Sequence, residues 1–361
     1  MSYEEVNKTN VEIIRMQQCM QGGSLLGKGS YGCVFRPPLL CKPKDEQKNP
    51  YRITGEISKV SLKRDATREL EMGKKVKEIG LWQNYFLPVI ADCDVAKKQT
   101  EDDIDDCDIM DEVPLNKLTL LSLTYGGESL VQVDLGRMKD SNMYWSFGKH
   151  LLEGVFLLTI NGIVHRDLHR GNILIDRYNV ARIIDFGISV KYNDDMKKLE
   201  KEMIHEYDPD YTQEPPEYNW WALKSAEGKI EHLLNHKQAA INARSILGVT
   251  LKEQIESSTM FLENSKSFGA RDFASFWSKY WSKYDAWSVG GILVAILKQL
   301  LIGPNGKVVE RGANLKQMKD IIKKLLTINP HDRYDVYHAL KEWEPNNRII
   351  EYYEKERGHG R

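Results

Sequence analysis

The feature that most narrows the fold is a change in hydrophobic periodicity near residue 125. Before it, apolar side chains come in short runs, at 25–26, 33–35, 53–62, 86–90 and 118–125, each bounded by Gly, Pro or charged residues, which is the pattern of strands. After it they recur at helical spacing, as in 144–160, where Phe147, Leu151, Leu152, Val155 and Leu158 form a stripe ahead of a glycine stop at Gly162. The run 286–297 is almost uniformly apolar but only 12 residues long, which suits a helix buried through the centre of a core. A chain of 361 residues also exceeds one typical core. Strands first and helices afterwards predict an α+β molecule of two unequal lobes, with Tyr125-Gly126-Gly127 as the link.

Charge removes several function classes. With 51 basic and 52 acidic residues the net charge is −1, so no global field draws the chain to nucleic acid or to an anionic membrane, and neither is an expected partner. The first ten residues are polar and acidic, and no run reaches the ~18 apolar residues of a membrane span, so a cytoplasmic location is expected. Cys19, Cys33, Cys41, Cys93 and Cys107 are scattered with no CxxC, which reads as free thiols in a reducing compartment rather than a bridged framework or a zinc site. The run 101–112 holds eight acidic residues and reads as a solvated loop, since it lacks the central glycine of a calcium loop.

Three short stretches carry chemistry. In Gly27-Lys28-Gly29-Ser30-Tyr31-Gly32-Cys33-Val34 the glycines let backbone amides approach phosphate oxygens closely, as only residues without Cβ allow, although the spelling alone also suits an ordinary hairpin. It is followed by His165-Arg166-Asp167-Leu168-His169-Arg170-Gly171-Asn172 and then by Asp185-Phe186-Gly187. Between the last two, the β-like runs 173–175 and 181–184 predict a hairpin that aims Asp185. In this order the three stretches resemble the eukaryotic-type protein kinase signature.

The resemblance implies a two-lobed protein-kinase fold, with a small β-rich N-lobe carrying one main helix and a larger helical C-lobe. Its boundaries would be an extension 1–20, N-lobe 21–124, hinge 125–127, C-lobe 128–345 with an inserted segment 218–284, and a charged tail 346–361. It implies ATP and Mg²⁺ as cofactors. Asp167 would accept or orient the proton of the attacking hydroxyl, and Asn172 and Asp185 would hold metal. His169 stands where serine/threonine kinases usually place a lysine, and would steady the phosphate by a hydrogen bond. The ATP-binding set would be Leu26, Gly27, Lys28, Gly29, Ser30, Tyr31, Gly32, Cys33, Val34, Lys59, Glu69 and Tyr125.

Two lysines compete for the α/β-phosphates, Lys59 and Lys63. Asp65 looks like the N-cap of a helix over 66–79, which leaves Lys63 at its mouth and favours Lys59. Glu69 shares a stripe with Ala66, Met72, Gly73 and Val76 and faces inward as the partner, whereas Glu71 and Glu78 lie on a charged face. Downstream, Pro215-Pro216-Glu217 resembles the end of an activation segment, and Arg333 stands where the family buries an arginine against that glutamate. Asp285-Ala286-Trp287-Ser288-Val289-Gly290 resembles the helix start whose aspartate braces the catalytic loop.

The insert carries aromatic clusters, Trp220-Trp221 and 273–281, which pack a helical subdomain in preference to offering a partner docking surface. With the proline-rich segment 36–41, it resembles the protein kinases of large nucleocytoplasmic DNA viruses, which would place the chain in host cytoplasm or virion. The expected activity is phosphorylation of serine or threonine hydroxyls on protein substrates; a pseudokinase scaffold and a small-molecule kinase are the alternatives. In such kinases the arginine before the catalytic aspartate, here Arg166, pairs with a phosphate on the activation segment, where Ser189, Tyr192, Tyr207, Tyr211 and Thr212 are the acceptors. Asp208, Asp210 and Glu214 surround the last of these, so competence without phosphorylation is expected.

Overall fold

The computed structural model describes residues 24–29, 32–44, 49–97, 99, 107–205, 207, 211, 213–223 and 228–358. The chain divides into two compact units, Met1–Lys77 with Leu87–Tyr125, and Glu78–Phe86 with Gly126–Arg361. The first is rich in strands and the second is mainly helical, so the α+β class holds.

In the N-terminal unit β1 (Ser24–Gly29) and β2 (Gly32–Arg36) lead to a short ribbon of β3 (Leu40–Cys41) and β4 (Tyr51–Arg52), then to β5 (Ile57–Leu62), β6 (Ala91–Asp94) and β7 (Leu118–Leu123). The five longer strands form an antiparallel sheet in the order β1-β2-β5-β7-β6. Every residue of β7 is buried, because alternate side chains serve both faces. Leu118 and Leu120 meet Phe35 and Val60 on one face, while Leu121 and Leu123 meet Ile57 and Ala66 of helix α1 (Lys63–Lys77) on the other.

The first of these faces overturns the reading of the cysteines as free thiols. Cys33 is bonded to Cys107 and Cys41 to Cys93. A bridge from Cys41 to Val95 sets Cys41 beside the strand of Cys93, and Cys107, just before the helix Asp108–Glu112, packs into the same core face as Cys33, which spacing along the chain cannot show. The cysteine argument for a reducing compartment is therefore removed; Cys19 lies outside the described residues.

Local boundaries also shift. Residues 86–90 form no strand: Phe86 closes a single helical turn, α2 (Trp82–Tyr85), and Pro88 cannot donate to a ladder, so the edge strand begins at Ala91. Strand β5 begins at Ile57 because Gly55 turns at a φ of 152°. Helix α1 begins at Lys63, which leaves Asp65 inside its first turn, where the helix dipole favours a carboxylate, rather than at the cap. Within the acidic run, 101–106 lie outside the described residues and the short helix α3 (Asp108–Glu112) replaces the expected loop.

In the C-terminal unit β8 (Glu128–Ser129), β10 (Ile173–Ile175) and β11 (Ala181–Ile183) form one small sheet, and β9 (Ile163–Val164) pairs with β12 (Val190–Lys191). The helices are α4 (Ser141–Ile160), α5 (Met196–His205), α6 (Pro216–Leu223), α7 (Ile230–His236), α8 (Gln238–Leu247), α9 (Leu251–Asn264), α10 (Lys266–Gly269), α11 (Phe273–Tyr280), α12 (Tyr284–Ile302), α13 (Gly306–Glu310), α14 (Leu315–Leu325), α15 (Val336–Trp343) and α16 (Arg348–Gly358). Helix α12 packs against α4, α8 and α14. By length and composition Phe273–Ile302 would suffice to cross a membrane, yet 72% of its most apolar window is buried inside the protein.

The insert is helical, and Trp220, Trp221, Phe276 and Trp277 are at most 1% exposed. Trp221 stacks on Phe276 at 4.8 Å and Tyr218 meets the same ring edge-on at 5.1 Å, so these aromatics are core rather than surface. Residues of the expected tail form α16, with Ile350 buried and Tyr353 edge-on to Phe156 at 5.3 Å.

Candidate active site

The expected residues are divided between the units. In the N-terminal unit, alternation along β5 puts Lys59 on the same face as Ile57, toward α1, whose buried stripe includes Glu69. Lys59 Nζ lies 3.0 Å from Glu69 Oε2, with the two side chains 9% and 5% exposed. Lys63 instead meets Asp94 at 2.6 Å, with both side chains near half exposed, which makes a solvated pair of little energetic weight.

The glycine hairpin pairs Gly27 with Val34, Lys28 with Cys33 and Gly29 with Gly32; Ser30 and Tyr31 at its tip lie outside the described residues. Gly32 has a φ of 136°, and a Cβ there would sit 1.7 Å from the Val60 carbonyl oxygen, so only glycine lets β2 lie against β5. Leu26 is exposed at the register shift between Leu25 and Gly27, and Lys28 reaches Asp108 at 3.4 Å. Val34 and Tyr125 pack on the α1 side of the sheet with Ile57. The Cys33 side chain is committed to its disulfide on the other side, so any contact it makes with a nucleotide comes through its backbone.

In the C-terminal unit the loop after β9 is fixed from beneath by α12. The backbone amides of His165 and Arg166 donate to Asp285 at 2.7 and 3.1 Å, and Arg166 is held at a φ of 69°. Burial pushes the Asp285 carboxyl above its usual value, and the His165 and Arg166 contacts offset part of that. His165 Nδ1 accepts from the Asp167 amide at 3.2 Å, so Nε2 carries the proton and donates to the Ile184 carbonyl at 3.0 Å. This imidazole thereby ties the loop 165–172 to the start of Asp185-Phe186-Gly187. Phe186 is buried, edge-on to Phe86 at 6.0 Å, and Asp185, at a φ of 63°, accepts from the Gly187 amide at 3.3 Å.

Asn172 donates through Nδ2 to both the carbonyl and the carboxylate Oδ2 of Asp167, each at 2.9 Å. Tyr211 donates its hydroxyl to the other oxygen, Asp167 Oδ1. Burial alone would push the Asp167 carboxyl up, but His169 and the Tyr211 hydroxyl outweigh it and hold the group below the usual carboxylate range. His169 accepts from the Gly171 amide at 3.0 Å through Nδ1, while Nε2 stands 3.7 Å from Asp167, beyond hydrogen-bond range.

Arg333 and Glu217 meet in a bidentate pair at 2.7 and 2.8 Å, both side chains fully buried, with the guanidinium also donating to the Thr327 and Ile328 carbonyls. Among the described residues, Glu202 of α5 lies 3.9 Å from Arg166; the expected Glu214, pushed up by burial, is also reached by the charges of Lys237 and Arg166, which offset part of that. Glu214 accepts from Asn219 and Tyr284, while Asp208, Asp210 and Thr212 lie outside the described residues. Sequence reasoning also missed Lys237, fully buried, whose Nζ donates to the Tyr211 carbonyl at 2.8 Å; no motif marks it.

Residues 20–218 match the family model of the protein kinase domain. The chain is 38% identical over 66 residues to MAP kinase kinase kinase SSK2 of Saccharomyces cerevisiae, covering 18% of this chain and 4% of that protein. It is 28% identical over 179 residues to the serine/threonine-protein kinase BCK1/SLK1/SSP31 of the same yeast, covering 48% and 10%. Cell division control protein 7 of Schizosaccharomyces pombe is 27% identical over 173 residues, covering 47% and 14%. The matched region is thus a small part of each of these relatives.

Proposed function

This chain belongs to the protein kinase domain family, and from that premise we propose that it transfers the γ-phosphoryl group of ATP, with Mg²⁺, to serine or threonine hydroxyls of proteins. The observation that carries the reading is Asp167 itself. It is a carboxylate on a loop pinned to buried Asp285, oriented by Asn172 and kept ionised by its surroundings, as a group must be that accepts a hydroxyl proton.

Lys59, aligned by Glu69, would hold the α/β-phosphates, and the backbone of the glycine hairpin would cover them. With Nδ2 of Asn172 given to Asp167, its amide oxygen and the Asp185 carboxylate make a hard-oxygen donor set that fits Mg²⁺. When bound, the metal supplies positive charge to the phosphate oxygens. His169 Nε2 would donate to the transferring phosphate.

Serine/threonine specificity is supported by the similarity to the serine/threonine-protein kinase BCK1/SLK1/SSP31 and by a catalytic loop without the alanine- and arginine-rich spelling of tyrosine kinases. Lys59, Asp167, Asn172 and Asp185 are all present, which disfavours a pseudokinase. The buried Glu217–Arg333 pair beneath Pro215-Pro216 supports a peptide-binding platform over a small-molecule site. The segment 36–41 and the insert support an origin in a large nucleocytoplasmic DNA virus.

The test is transfer from γ-labelled ATP and Mg²⁺ to dephosphorylated casein, followed by phosphoamino acid analysis. Phosphoserine and phosphothreonine that vanish with Asp167→Asn are expected. Label that persists in Asp167→Asn would refute the assignment.

A further inference from the structure

Beside Asp167 the C-terminal unit holds a cavity of about 270 Å³, bounded by the loop 165–172 and by helices α8 and α12. Gln238 and Asn242 border it one turn apart on α8, and Gly291 and Ala295 do the same on α12. Small side chains keep the helices close: a Cβ on Gly291 would stand 3.2 Å from that of Ala239. His169 also lines the cavity, and the same imidazole is 3.7 Å from Asp167.

The lining offers hydrogen-bond donors and no carboxylate. Arg170 gives Nη2 to the Leu130 carbonyl at 3.1 Å, while its Nε is buried without a partner, and no carboxylate pairs with it among the described residues. Burial lowers the pKa of this guanidinium, and no neighbouring acid offsets that. Two other arginines of this unit without a paired carboxylate are settled by other means. Arg244 makes three hydrogen bonds, and Arg271 lies 4.1 Å over the Trp221 ring within reach of the Glu200 charge. Arg170 has neither.

The α8 side adds to the same balance. Asn242, 3% exposed, accepts through Oδ1 from Gln238 at 3.0 Å and from Lys298 Nζ at 3.1 Å. Lysine can only donate, so the amide is oriented with Nδ2 left to donate in turn. A half-buried guanidinium, an ammonium behind Asn242 and a free amide donor suit an anion, and a basic side chain would meet like charge.

We propose that this cavity selects the substrate by binding an anionic side chain, carboxylate or phosphate, on the same peptide as the acceptor hydroxyl. The inference rests on the kinase reading above and names its substrate class: hydroxyls in acidic or already phosphorylated sequence. An extended peptide advances about 3.3–3.6 Å per residue, and His169 borders both Asp167 and the cavity, so the anion lies within a few residues of the acceptor.

The experiment uses the full-length protein and peptides built on a casein serine that it labels. Each of the four positions on either side of that serine carries alanine, aspartate, phosphoserine or arginine in turn. The readout is kcat/KM relative to the alanine peptide, a ratio that a uniform loss of activity does not move. At one position or more, aspartate or phosphoserine is expected to exceed alanine by about tenfold, and arginine to fall below it. Equal gains from both would mean that a carboxylate suffices; a gain from phosphoserine alone would mean that an earlier phosphorylation supplies the anion. Arg170→Gln should bring the ratio close to one, and Arg170→Lys should keep part of it. Asn242→Asp, which adds a carboxylate from α8 and leaves the loop untouched, should also abolish the preference, and it serves where an Arg170 variant folds poorly. Peptides labelled with no acidic preference at any position would overturn the inference and leave the kinase assignment standing. So would an acidic preference that survives both Arg170→Gln and Asn242→Asp. No transfer to casein at all would refute the kinase reading beneath it.

Discussion

The two units bury comparable kinds of side chain but hold them by different means. The N-terminal unit closes one face of its sheet with two disulfides, Cys33–Cys107 and Cys41–Cys93, spanning 74 and 52 residues of chain, and buries the ion pair Lys59–Glu69 on the other. The C-terminal unit has no cysteine; its core is aliphatic along α12 and aromatic through the insert, and its buried Arg333 has both its carboxylate and two carbonyls as partners. The difference follows from size. The N-terminal unit is the smaller and buries a smaller share of its surface, so the cross-links add to what its packing supplies, while the larger helical body relies on packing.

The strongest way to break this comparison is to cut the bridges. Loops of these lengths imply about 4 kcal/mol each in the chain-entropy account. Dithiothreitol should therefore lower the melting temperature of the N-terminal unit and leave the C-terminal unit's transition in place; hydrogen exchange read by mass spectrometry resolves the two. Equal loosening of both units would contradict the contrast.

Next in size is the converse experiment. Arg333→Ala strands the buried Glu217 carboxylate and should cost about 3–5 kcal/mol, seen as early unfolding of the C-terminal unit only. The double variant Arg333→Met with Glu217→Leu, which leaves no orphan charge, should recover most of that loss. Failure to recover would mean the pair does more than satisfy its own burial.

A smaller effect on folding but a clear one on activity is expected at Lys59. Losing this charge from the phosphate site should lower casein phosphorylation by roughly 10²–10³-fold in Lys59→Met. Lys63→Met gives up only a solvated contact worth under about 1 kcal/mol and should stay within a few-fold of wild type. The reverse ranking would move the phosphate-binding role to Lys63.

The sequence carried these features unevenly, for physical reasons. Glu69 was legible because helical phase is local, and Lys59 because a helix had to start close behind Lys63, which in fact is the helix's first residue; the Glu217–Arg333 and Asp285 contacts were legible through a family spelling that spans long separations. The disulfides were not, since Cys41 nears Cys93 only through strand pairing and Cys33 meets Cys107 only where the start of α3 packs on the sheet. The strand expected at 86–90 failed because its apolar composition masked Pro88, which has no amide hydrogen to give a ladder. Tyr211 stood out only as one of several hydroxyls; its seat on Asp167 depends on Lys237 and Ser288, far along the chain and unmarked by any motif.

The central claim is that Asp167, Asn172 and Asp185 form the phosphoryl-transfer half of a working kinase. The direct measurement is steady-state phosphorylation of casein by wild type and by Asp185→Ala, with circular dichroism confirming equal folding of both. The account expects Asp185→Ala to keep its fold and lose transfer by at least about 10³-fold, because a metal-holding carboxylate is removed and no core volume is lost. Near-wild-type transfer by a folded Asp185→Ala protein would contradict it.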